Sequence, residues 1–117
     1  MTVSDGIMGV LQFAVDGVSL QQQTTANNIA NDETPNFSAQ DVSFEQSLQN
    51  AIDAPGGATA ESEVSNSTRA PSTNGNNVDL PTEMTEATQE TMQYQSVVEL
   101  LNAQFRLVQG AAGGSFS

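Results

Sequence analysis

The chain of 117 residues contains no cysteine, no histidine, no lysine and no tryptophan. Without cysteine there can be no disulfide framework, no thiol nucleophile and no thiolate metal site. Without histidine, a histidine-based catalytic triad and a histidine-ligated zinc site are excluded as well. Basic side chains are almost absent: Arg69 and Arg106 face fourteen acidic residues, for a net charge of −12. Nucleic acid and anionic membrane surfaces both demand a basic footprint, so neither is an expected partner. No apolar run approaches the roughly 20 residues that span a bilayer. The start of the chain lacks a basic region followed by an apolar core and a small-residue cleavage site, so a conventional secretory signal is not expected. There is no Gly-x-Gly-x-x-Gly and no phosphate-binding Gly-Lys-Ser/Thr, so no cofactor and no small-molecule substrate are expected. Adjacent acids such as Asp32 and Glu33, or Glu61 and Glu63, sit in polar surroundings where carboxylates are ordinarily solvated, so no catalytic or metal role is assigned to them. The acidic surplus also predicts repulsion between copies. That suits a high-salt setting, where the Debye length falls to about 3 Å at 1 M.

What the chain does have is two periodic ends around a loose middle, on a length that allows one small domain. From Ile7 the series Ile7, Leu11, Ala14, Val18, Gln21, Thr25, Asn28 advances by alternating steps of four and three. Val10, Phe13 and Leu20 widen the apolar face, while the polar residues at 21, 25 and 28 weaken the later seam. Ser4 is a plausible N-cap, and Thr34-Pro35 stops the helix a few residues beyond Ala30. Gly6, Gly9 and Gly17 each cost up to about 1 kcal/mol of helix propensity relative to alanine. At the other end Leu80, Met84, Ala87, Thr91, Tyr94, Val98, Leu101, Phe105 and Val108 keep the same step without interruption. A 3.5-residue period is the seam of a left-handed coiled coil. Asp79, Pro81 and Glu83 form a helix-start signal, Arg106 lies in the last turns, and the glycines from Gly110 onward end the helix.

Residues 50–75 are rich in Gly, Pro, Ser, Thr, Asn and Ala, with little to bury, and read as a flexible loop. The segment 37–44 alternates like a short strand or extended arm. The fold expected is therefore all-α, with N- and C-terminal helices paired as an antiparallel coiled coil, an extended arm and a flexible middle loop. The divisions are 1–33 for the first helix, 34–49 for the arm, 50–76 for the loop, 77–111 for the second helix and 112–117 for a tail. With polar residues in its seam, such a hairpin alone is marginal, and neighbouring copies are expected to complete its order.

Two motifs narrow the function. Asn28-Ile29-Ala30-Asn31 closes the first helix, and Thr34-Pro35-Asn36-Phe37 breaks it. This resembles the N-terminal signature of bacterial flagellar axial proteins, the rod, hook and hook-filament junction subunits. Near the other end, Asn74-Gly75-Asn76-Asn77-Val78-Asp79-Leu80 with Glu83-Met84, then Tyr94-Gln95 and Leu100-Leu101-Asn102-Ala103-Gln104-Phe105, looks like the opposite end of a proximal rod member. The resemblance covers roughly 5–48 and 74–109. It departs at Asn36, where the family has glycine, although asparagine tolerates positive φ. The family's basic surface residues are also largely missing.

The resemblance implies a structural, non-enzymatic subunit at the base of the flagellar rod. Such a subunit leaves the cell without a cleaved signal through the flagellar type III channel, lodges in the periplasmic rod, associates with itself and passes torque through its helices. Its implied partners are other rod proteins and the membrane-ring adaptor or export gate. Asn28, Ile29, Ala30, Asn31, Thr34, Pro35 and Phe37 carry the family motif. Ile7, Leu11, Val18, Met84, Tyr94, Val98, Leu101, Phe105 and Val108 are the seam and assembly candidates. Phe44 and Leu48 fit the Phe-x-x-x-hydrophobic pattern by which early flagellar substrates engage the export gate. Physically, they fall on one face of a helical turn. The alternatives are another proximal rod member of similar size and a cytoplasmic helical export chaperone or adaptor, for which a stable folded dimer is expected.

Overall fold

The computed structural model describes residues 3–53 and 62–113. Residues 54–61 of the expected loop and 114–117 of the expected tail lie outside the described residues. Chain order is α1 (Val3–Ala30), β1 (Gln40–Val42), α2 (Phe44–Asp53), β2 (Val64–Asn66) and α3 (Leu80–Gly113). The long axis of the molecule is that of its terminal helices. At 1.5 Å per residue, the 34 residues of α3 reach about 51 Å, and the overall extents are 64 × 27 × 14 Å.

Helices α1 and α3 pack along each other and run antiparallel. Thr25 bonds to Glu90 and, further along α1, Asn28 bonds to Glu83. Along α1 the inward positions include Ala14, Val18, Thr25 and Asn28, all buried. Along α3 the residues turned from solvent include Leu80, Glu83, Glu86, Ala87, Glu90, Tyr94, Val97, Val98, Leu101, Ala103 and Gln104. The coiled-coil period is present, but one of its two series is displaced by a residue. Leu80, Ala87, Tyr94, Val98 and Leu101 keep their expected place, whereas Glu83, Glu90 and Gln104 are turned from solvent where Met84, Thr91 and Phe105 were anticipated. Met84 and Phe105 are 57% and 43% exposed, against 0% for Glu83. The physical reason is pairing: Thr25 and Asn28 present donors to α3, and the carboxylates of Glu90 and Glu83 accept them.

The small core lies at mid-hairpin, where Ala14, Val18 and Phe44 are buried and Phe13, Val42, Leu48, Tyr94 and Val97 close around them. The rings of Phe13 and Phe44 stack with centroids 6.2 Å apart and planes inclined by 20°. Phe44 reaches this position because Gly17 has no side chain: a Cβ placed there would overlap the Phe44 ring. The propensity cost of that glycine is thus the condition for docking α2.

Between the helices, the expected arm at 34–49 divides into a turn, β1 and the first half of α2. Strand β1 pairs antiparallel with β2 in the register Gln40↔Asn66, Asp41↔Ser65 and Val42↔Val64. The ladder is extended at either end by Ser43 N–H to the Glu63 carbonyl (2.9 Å) and Ser67 N–H to the Ala39 carbonyl (2.7 Å). Residues 62–79, loop-like in composition, therefore carry a strand and, as shown below, a dense set of side-chain bonds.

Candidate functional site

Residues 28–37 and 74–83, remote in sequence, meet at one end of the hairpin. Helix α1 closes with 3₁₀-type bonds from Asn31 N–H to the Asn28 carbonyl and from Asp32 N–H to the Ile29 carbonyl (3.1 and 3.2 Å). Asn31 turns its amide back onto the Asn27 carbonyl (2.8 Å), and its Oδ1 accepts the Thr34 hydroxyl (3.0 Å). The next four residues form a β-turn closed by Phe37 N–H to the Thr34 carbonyl (3.3 Å). Pro35 stands second in this turn and Asn36 third, with φ of 61°. Proline followed by a left-handed residue is the signature of a type II turn, which explains why glycine or asparagine is required there. Asn36 packs against Gly75, itself at φ of 83°, so closely that a Cβ on Gly75 would overlap the Asn36 side chain.

Asn76 and Asn77 hold this turn to the start of α3. The buried Asn76 amide donates to the carbonyls of Asn31 (2.8 Å) and Thr34 (2.7 Å), adding a second bond to each acceptor in the turn that follows α1. Its Oδ1 accepts Val78 N–H (2.8 Å). Asn77 accepts Ala39 N–H (2.6 Å) and donates to the carbonyls of Arg69 and Ser67 (3.1 and 3.4 Å). Asn36 N–H reaches the Asn74 carbonyl (3.0 Å) and Asn77 N–H the Phe37 carbonyl (3.3 Å). In sequence these asparagines look like ordinary loop residues; the run of three at 74, 76 and 77 just before a helix start was the one signal of a structural duty.

Asn28 is the centre of a second network. Its side chain acts as a strand partner to Gln40, accepting the backbone N–H (2.9 Å) and donating to the carbonyl (2.8 Å). It also donates to Glu83 Oε1 (2.7 Å), the same oxygen that Arg69 Nη2 approaches at 3.3 Å. Glu83 is the acid in the first turn of α3, as the sequence suggested, and is also a fully buried tertiary acceptor. Along the same side of α3, Thr25 donates to Glu90 Oε2 (3.0 Å). Burial, the charge of Glu83 and a hydrogen bond with it, and the charges of Glu90 and Asp41 push the Glu86 carboxyl up to about 7. Burial also raises Glu90; the Thr25 hydroxyl works against that rise and Glu83 adds to it. Among the described residues no three His, Cys, Asp or Glu group so as to hold a metal ion.

The remaining sequence-selected residues separate by location. Of the family motif, Asn28, Asn31, Thr34 and Phe37 enter these networks, while Ile29 is half-buried and Ala30 and Pro35 are exposed. Of the seam candidates, Val18 is buried and Leu11, Tyr94, Val98 and Leu101 are half-buried, whereas Ile7, Met84, Phe105 and Val108 are exposed. Phe44 and Leu48 share a face as expected, but that face is turned inward onto Ala14 and Val18.

An elongated helical hairpin, locked at one end by polar side chains and bearing exposed apolar residues, defines an extended helical-hairpin class of protein. Its sequence relatives say which. The chain is 32% identical over 118 residues to the flagellar basal body rod protein FlgB of Bacillus subtilis (strain 168), a match covering 90% of this chain and 92% of that protein. It is 29% identical over 114 residues to the protein of the same name from Aeromonas hydrophila, covering 85% and 86% respectively. No protein-family model matches it. The chain belongs to the family of flagellar basal body rod protein FlgB.

Proposed function

We propose that this chain is a structural subunit of the proximal rod of the flagellar basal body. It is exported through the flagellar type III system without a cleaved signal, polymerises through its terminal helices in the periplasmic space, and transmits torque rather than catalysing a reaction. The observation that carries this reading is the outer surface of α3, where Met84, Met92, Leu100, Phe105, Leu107 and Val108 all stand exposed, with Ile7 of α1 exposed nearer the other helix terminus. Exposed apolar side chains spread along α3 are available to neighbouring protein subunits. Interdigitation there with other rod proteins, with further copies, and with the membrane-ring adaptor or export gate at the base would give a stiff joint. The turn at 34–37 and strand β1 brace neighbouring subunits through the backbone groups they leave outward.

Phe44 and Leu48 engage the export gate in this reading, and their burial sets a condition on when. A gate that recognises them must meet the chain before α2 has docked on Gly17, which suits a substrate that threads a channel unfolded. The test is mass spectrometry of detergent-purified hook–basal bodies, quantified against the hook subunit. A few copies per particle are expected. A protein confined to the cytosol as a stable dimer would mean an export adaptor instead.

A further inference from the structure

A cleft of about 550 Å³ opens between α1, β1, the start of α2 and α3, alongside the locked end of the hairpin. Asp41, Glu45, Glu86 and Glu90 line it from three different elements, joined by Gln21 and Gln89, and no basic side chain lines it among the described residues. Two of its acceptors lack donors. Glu90 is only 8% exposed, and while its Oε2 takes the Thr25 hydroxyl, its Oε1 is buried without a partner. Across from it, Gln21 Oε1 is likewise buried and unpartnered. A buried carboxylate oxygen left without a donor is costly, and the deficit calls for a donor that also carries positive charge.

This chain cannot supply that donor. It has two cations. Arg69 is engaged with Glu83, and Arg106 lies along α3 from Glu90 by about 24 Å of helix (residues 90 to 106). A second copy brings its own charge of −12 and no lysine. A bare metal ion is a poor occupant too, because the described acids do not converge in threes. We propose that the cleft is a docking site for an arginine or lysine side chain of a different protein in the axial structure. This deepens the rod assignment and rests on it. Burial raises the proton affinities of Glu86 and Glu90, and the arriving cation competes with the protons held there.

The test is site-specific photo-crosslinking of the full chain in cells, with benzoylphenylalanine at Gln89 in the cleft or at Leu100 on the exposed apolar face, read by mass spectrometry of purified hook–basal bodies. The expected result is a Gln89 crosslink to a segment of another protein with an arginine or lysine within a few residues. Glu90→Gln should lower its yield roughly ten-fold, the scale of one charge-assisted hydrogen bond. Glu45→Gln, at an exposed position that touches no structural network, should lower it without altering helicity. Leu100 crosslinks should be unaffected by either change. A Gln89 crosslink to a second copy or to a segment without basic residues overturns the docking site, as does its absence while Leu100 still crosslinks. Either result leaves the rod assignment standing, whereas absence of the chain from the particles removes both.

Discussion

Replacing Asn28 by alanine tests the central claim about how the hairpin is closed. The side chain is 1% exposed and makes three bonds: two with the Gln40 backbone and one with the Glu83 carboxylate. Neutral hydrogen bonds contribute about 0.5–1.5 kcal/mol net and a bond to a charged group about 1.5–3 kcal/mol. Their loss sums to about 2.5–6 kcal/mol. The penalty should lie in the upper part of that range, because Gln40 and Glu83 stay behind with their partners gone. Stabilities of small domains are themselves about 5–15 kcal/mol. Asn28→Ala should therefore move the urea midpoint, followed by far-ultraviolet circular dichroism, to the foot of the accessible range or abolish the folded baseline. Asn27→Ala is the control. Its exposed side chain accepts only a 3.3 Å bond from Asn31, and it should change stability by less than about 0.5 kcal/mol. An Asn28→Ala protein within about 1 kcal/mol of the parent would refute the network as the closure of the hairpin.

Three further outcomes are expected. Gly9→Ala, where a Cβ meets nothing within 4 Å, should stabilise by up to about 1 kcal/mol through helix propensity. Gly17→Ala should destabilise by about 1–3 kcal/mol, because the same methyl displaces Phe44, and paired thermal melts distinguish the two. Stability should also rise on acidification. Glu86 has its folded-state pKa raised from 4.5 to about 7, so between those values the native state holds more protons than the unfolded chain, and stability falls as pH rises through the window. The facing groups are Glu83, Glu90 and Asp41, with Arg69 on Glu83; denaturation midpoints from pH 5 to 8 should slope downward, and Glu86→Gln should flatten the slope. Phe105→Asp should leave the free subunit's helicity unchanged yet prevent rod assembly, since that ring is exposed. Leu101→Asp should damage both, since it lies toward α1; a rod built normally from the Phe105 variant would remove that face from the assembly surface.

Several features were legible in the residues themselves. A 3.5-residue period and a proline stop are local properties of the chain, so two long terminal helices and the break after Ala30 followed from them. The turn was equally local: Thr34-Pro35-Asn36 dictates where the backbone turns left-handed, whatever packs nearby.

Tertiary structure alone decided which side of α3 turns inward. By hydrophobicity Met84 outranks Glu83, but burial goes to Glu83 and Glu90, which accept hydrogen bonds from Asn28 and Thr25. Those donors are visible only once α1 lies alongside. The use of Gly17 likewise depends on a ring from twenty-seven positions away (residues 17 and 44). Asn76 acquires a role only when the turn after α1 supplies carbonyls for it to bond, and Asn77 only when Ala39, Ser67 and Arg69 are brought alongside. Periodicity reports what a helix would bury on its own; a polar contact between distant segments is a property of the pair, and no window of sequence contains it.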